Sequence, residues 1–139
     1  LAKVYSSQER MRLELTGLER DFARRRELLA GSIGTSDVVK LLHLTPQAIR
    51  KRVSQQKLLA VLDGGDYRFP LEQFDAQGPN GVVDGLSEVL QAMSSISDYA
   101  RLNWLATPNP IFANATPFEA LRKGEKDSAI ATAHSIHLL

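Results

Sequence analysis

SDVVKLLHLTPQAIRKRV, residues 36–53, sets two short apolar-periodic segments on either side of a tight joint, His43-Leu44-Thr45. Val38, Leu41 and Leu42 follow the i, i+3, i+4 spacing of one buried helical face. Ser36 or Thr35 stands where a helix cap is favoured, and Asp37 occupies the first turn, where the helix dipole favours negative charge. Thr45-Pro46 then starts a second helix. Threonine is a good cap, and proline fits the first helical position because its missing N–H would have no partner there. Ile49 and Val53 face a core, while Gln47, Arg50, Lys51 and Ser54 share the opposite face. Two apolar stripes across so short a joint predict a helix-turn-helix. The basic run Arg50-Lys51-Arg52 turns the second helix toward an anion.

Downstream, LLAVLDGGDYRFPLEQF reads as a small wing. Leu58–Leu62 is apolar, Asp63-Gly64-Gly65-Asp66 is a strong turn signal, and Tyr67-Arg68-Phe69 alternates, with Pro70 ending the strand. Upstream, residues 7–30 read as a long helix capped by Ser7 and ended by Gly31 and Gly34. Met11, Leu15, Leu18, Phe22 and Leu29 make a heptad seam with Arg25 at the faulted position. The seam fits a helix lying on its own domain, or a homodimer helix. Gln77-Gly78-Pro79-Asn80-Gly81 is the clearest linker-like cluster. Three units follow: residues 1–31 as the N-terminal helix, 32–76 as helix-turn-helix with wing, and 82–139 as a small helical domain. That last unit carries helices around Leu86–Met93, around Ile96–Leu105, from Thr116-Pro117 to Gly124, and over 125–135. The fold class is mainly α with a small β-hairpin.

The chain has 139 residues with formal net charge +1, but the charge is unevenly spread. Residues 36–62 carry +4 and residues 63–100 carry −6. Such a divided field favours an anionic partner for the first segment. No apolar run is long enough for a transmembrane helix, and the N-terminus lacks the apolar core of a signal peptide, which fits a cytoplasmic protein without membrane contact. There is no cysteine, hence no thiolate nucleophile, disulfide or Cys-ligated zinc. His43 falls in the helix joint. His134 and His137 lie three apart without a third ligand at sensible spacing. Gly64-Gly65 lacks the Lys and Ser/Thr of a phosphate loop. The expectation is no enzyme, no cofactor and no metal.

Double-stranded DNA is the anion that suits these residues. Arginine and lysine meet guanine O6 and N7 in the major groove, and glutamine pairs with adenine. Gln47, Arg50, Lys51 and Ser54 are placed to read bases, with Arg52, Lys57 and Arg68 holding phosphates nearby. A solvated helix face, or a nucleoid-associated or protein-interaction module without sequence reading, is the alternative.

LNWLATPNPIFANATPFEALRKGEKDSAIATA, residues 102–133, resembles the toxin-binding domain of the Xre/MbcA/ParS-type antitoxins. The matching positions are Leu105, Asn109, Thr116-Pro117, Leu121, Gly124 and Ala129 to Ala133. Family members commonly have a Gly-rich link before Thr-Pro, where this chain has Phe112-Ala113-Asn114-Ala115. Residues 36–69 look more like the helix-turn-helix and wing of MerR-like regulators than the lambda-repressor-like domain of most relatives. The resemblance implies a toxin–antitoxin regulator that binds its own promoter and covers a partner toxin, often of the NAD-degrading RES type. Asn109, Phe112, Thr116, Ile136, Leu138 and Leu139 are the toxin-facing expectation, with Ile111 and the apolar end read as exposed.

Overall fold

Ser6 starts the first helix. Its hydroxyl accepts the Glu9 N–H while the Glu9 carboxylate accepts the Ser6 N–H, a reciprocal cap at the residue before the expected Ser7. The computed structural model describes residues 4–136. The helix that follows, α1 (Ser7–Leu29), buries none of its residues fully. Only its C-terminal end meets the body: Leu28 and Leu29 pack against the core. Arg24 donates to Asn103 Oδ1 (3.2 Å) and Thr107 Oγ1 (2.9 Å). Arg25 donates to the Leu62 carbonyl (2.8 Å) and lies over the Tyr99 ring at 5.3 Å. Of the expected seam, Leu29 therefore belongs to the protein's own core, whereas Met11, Leu15, Leu18 and Phe22 stand exposed.

The sheet has three antiparallel strands in the order β1 (Ser32–Gly34), β3 (Asp66–Pro70), β2 (Val61–Asp63). Ile33 pairs with Phe69 and Leu62 with Tyr67. Asp63 and Asp66 close the hairpin around Gly64 and Gly65, whose φ of 59° and 89° suit the two-residue turn that matches strand twist. The outer edge of β2 is not left open: Leu62 N–H donates to Asp98 Oδ2 (3.0 Å) and Leu62 C=O accepts from Arg25. Side chains thus take the place of a fourth strand.

Two helices follow β1: α2 (Thr35–Leu42) and α3 (Pro46–Ser54). After β3 come a 3-10 turn at Leu71–Gln73 and another at Pro79–Gly81. Then α4 (Leu86–Ala92), α5 (Asp98–Leu105), α6 (Pro117–Arg122) and α7 (Lys126–Ile136) complete the described chain. The architecture is mainly helical with a small sheet, as the apolar periodicities predict.

One hydrophobic cluster runs from Val38 and Ile49 through Leu59, Phe69 and Leu86 to Leu121 and Ala133. Residues 32–76 and 82–136 therefore share a core. The stretch 77–81, expected as a linker, is a tight folded turn. A Cβ on Gly78 would lie 1.8 Å from the Val82 carbonyl oxygen. Gln73 binds both sides of this turn. It is fully buried, its side-chain amide pairs with the N–H and C=O of Leu59 (2.8 Å each), and its own carbonyl accepts Val83 N–H (2.8 Å). Arg122 adds a second tie, donating to the carbonyls of Glu72 (2.9 Å) and Phe74 (3.3 Å). Among the described residues no helix is long and apolar enough to cross a membrane.

Candidate nucleic-acid interface

α2 and α3 meet at His43, which adopts a left-handed conformation (φ 55°, ψ 45°) and donates its N–H to Val39 C=O. That residue ends α2. Thr45 then caps α3, its hydroxyl accepting Ala48 N–H at 3.1 Å, with Pro46 in the first turn. Val38 of α2 and Ile49 of α3 are both fully buried, so their contact with the core fixes which way α3 faces. The residues at the opposite spacing, Gln47, Arg50, Lys51 and Ser54, are all exposed. Gln47, Arg50 and Lys51 engage no side-chain partner among the described residues, and Ser54 donates to the Lys51 carbonyl at 2.8 Å. Lys57, just after α3, is likewise exposed with its ammonium unengaged. A row of one amide, two cations and a hydroxyl on a rigidly seated helix suits base edges and phosphates alike.

Two of the residues read as phosphate contacts are occupied elsewhere. Arg68 is half-buried; its Nε donates to Ser32 Oγ (3.0 Å) and its Nη2 to Ser32 C=O (2.7 Å). It pins β1 to β3, because β1 is too short to be held by its ladder alone. Arg52 donates to the Asn80 carbonyl (3.3 Å) and helps to hold the 79–81 turn against the helix pair. The hairpin tip carries Asp63 and Asp66, both exposed, so this wing presents negative charge where a phosphate-binding wing would present positive. Asp63 also faces Arg25, at 3.8 Å.

The end of α3 is braced from the C-terminal segment. Gln56, in the left-handed region at φ 60°, accepts a 2.5 Å hydrogen bond from Arg101 through its side chain and one from the Ser87 hydroxyl through its carbonyl. Burial pulls the Arg101 guanidinium below its usual range, and the nearby Asp98 carboxylate partly offsets this.

In the C-terminal segment, Asn109 caps the short turn Pro110–Phe112, its Oδ1 accepting Ile111 N–H at 3.0 Å. Its backbone N–H reaches Ala115 C=O (3.0 Å) and closes the loop. Ala113 and Asn114 both hold positive φ in that loop, without glycine. Thr116 caps α6 by accepting Glu119 N–H (3.1 Å), and Leu121 is buried, as its spacing predicts. Phe112, expected on the surface, is buried: the turn folds it inward and leaves Ile111 outside at 63% exposure. Ile136 is half-buried against the core. His137, Leu138 and Leu139 lie outside the described residues. Among those described, no three of His, Asp and Glu gather as a metal site would require.

The fold is similar to one already solved, the NMR structure of Rv2175c. The two align with a TM-score of 0.66 over 76% of this chain and 80% of that one, at 21% sequence identity. At that identity the likeness concerns the fold. No protein-family model matches the chain, and no curated protein sequence does.

Proposed function

We propose that this chain is a non-enzymatic, cytoplasmic transcription regulator that places α3 in the major groove of double-stranded DNA. We further propose that its C-terminal segment covers a partner protein, as an antitoxin covers its toxin. The observation that carries the DNA reading is the pairing of a fully buried Ile49 with unengaged Gln47, Arg50 and Lys51 on the other side of the same helix. Cations held outward on a fixed scaffold break no hydrogen bond within the protein when they meet DNA, whereas Arg52 and Arg68 would first have to leave their carbonyl acceptors. The antitoxin reading rests on the sequence resemblance of residues 102–133. It is supported by the caps at Asn109 and Thr116, which hold Ile111 outward next to the loop. A RES-type toxin is the partner the resemblance names.

The test is a gel shift with DNA from upstream of the protein's own gene. Arg50→Ala and Lys51→Ala should each weaken binding by about 1–3 kcal/mol if each meets a base bidentately. Equal affinity for a shuffled duplex would favour the non-sequence-specific, nucleoid-type reading. Unaltered binding by the Arg50→Ala, Lys51→Ala double variant would overturn α3 as the reader.

A further inference from the structure

The face of α1 that rests on the body continues well past it. Arg25 and Leu29 lie against Tyr99 and the core, and the same stripe runs outward through Phe22, Leu18, Leu15 and Met11, which are 59, 53, 55 and 71% exposed. Spacings of four, three and four residues are those of a two-helix coiled-coil seam. We propose that this stripe is covered by α1 of a second copy of the chain, packed antiparallel about a two-fold axis beside Thr16 and Gly17. The inference goes beyond the DNA-binding reading and stands independently of it.

The stripe is self-complementary when reversed. Met11 falls opposite Phe22 of the second copy, and Leu15 opposite Leu18, so each layer joins residues already exposed. The alternative, parallel pairing, meets an obstacle. The C-terminal end of the stripe is occupied by the chain's own body, so two parallel helices would bring both bodies to the same end. Reversal sends them to opposite ends. It also directs the first turn of the second copy toward the cleft bounded by Phe22, Arg25, Arg26, Leu29, Ala30 and Asp63.

Area and charge set the strength. Four large apolar side chains from each copy, at roughly 100 Å² apiece with their flanking stems, would remove about 800 Å² from water, below the range of tight interfaces and in that of weak, reversible ones. Reversed helices set Arg12 beside Glu19 of the second copy, an attraction made twice. On the other flank they set Glu14 beside Asp21, a repulsion made twice. Parallel helices would instead set Asp21 beside Arg26. Asp21 is thus diagnostic of orientation. A dimer of this size with one repulsive flank should dissociate in roughly the micromolar range.

Analytical ultracentrifugation of the full chain across that range should show a reversible dimer. Leu15→Glu with Leu18→Glu should be monomeric throughout at unchanged circular dichroism, because those side chains stand exposed in the single copy. The chain has no cysteine, so introduced thiols report orientation cleanly. A mixture of Leu15→Cys and Leu18→Cys chains should cross-link faster than either alone, and Asp21→Arg should tighten the dimer. Preferential self-linking of Leu15→Cys, or a looser dimer with Asp21→Arg, would overturn the antiparallel pairing. A wild-type chain that stays monomeric would overturn the second copy as occupant and leave the stripe to another protein.

Discussion

Replacing Gln73 with methionine keeps the length of the side chain and removes its hydrogen bonds. The amide is fully buried, and it satisfies three backbone groups: Leu59 N–H and C=O at 2.8 Å each, and Pro70 C=O at 3.1 Å. The two Leu59 groups and the Pro70 C=O would all lose that partner away from water. Each orphaned buried group costs about 1–3 kcal/mol, so the loss should be about 4 kcal/mol. That is a large share of the roughly 5–15 kcal/mol that holds a domain of this kind together. Urea unfolding, followed by Trp104 fluorescence and circular dichroism together, should show the midpoint falling by about 2 M at an unchanged slope. Gln73→Glu separates the hydrogen-bonding argument from simple packing. Its carboxylate would still accept Leu59 N–H but would face two carbonyl oxygens, so burial and repulsion would raise its pKa in the folded chain. A carboxyl whose folded pKa is raised binds protons more readily when folded, so this variant should gain stability as the pH falls. A loss below about 0.5 kcal/mol for Gln73→Met would refute the reasoning, since each orphaned group alone should exceed that.

Two more pairs of variants separate folding from binding. Phe112→Ala should destabilise the chain by about 3–5 kcal/mol in the same urea assay, since the ring is buried. Its neighbour Ile111→Ala should change stability by less than about 0.5 kcal/mol and, on the proposed antitoxin reading, weaken capture of the partner protein in a pull-down. Gly78→Ala should lower the melting temperature sharply, because the new Cβ would meet the Val82 carbonyl oxygen at 1.8 Å and the turn must open. Gly17→Ala, where no atom lies within 4 Å, should raise the melting temperature slightly through helix propensity alone.

What the sequence discloses of this fold follows from how local each signal is. The helix pair, the hairpin and the C-terminal helices announce themselves through caps, prolines and apolar spacing within a few residues, and they are found close to their expected bounds. β1 does not. Three residues, Ser-Ile-Gly, carry no periodicity, and the strand exists because β3 and Arg68 are there to hold it. The same distance in sequence hides the true role of Arg68, which looks like a free cation until Ser32 is brought beside it. Gln73 reads as an ordinary polar residue in a loop, and nothing nearby in sequence marks its partner Leu59. The Gly-Pro-Asn-Gly cluster shows the converse. Its composition is that of a turn, and a turn it is, but composition cannot tell a turn packed inside a core from one that separates domains. In the α3 face, Gln47, Arg50, Lys51 and Ser54 are legible because helical spacing alone brings them together.

The common core of the two halves bears on how such a protein can change over generations. A recombination that joined residues up to 81 to a foreign C-terminal segment would leave Leu62 N–H without Asp98, Gln56 without Arg101, and Gln73 C=O without Val83. The chimera would inherit a helix pair with one wall missing. Substitution at exposed positions such as Gln47, Arg50 and Lys51 on α3, or Ile111, touches none of these ties, so the surface can vary while the two halves stay matched.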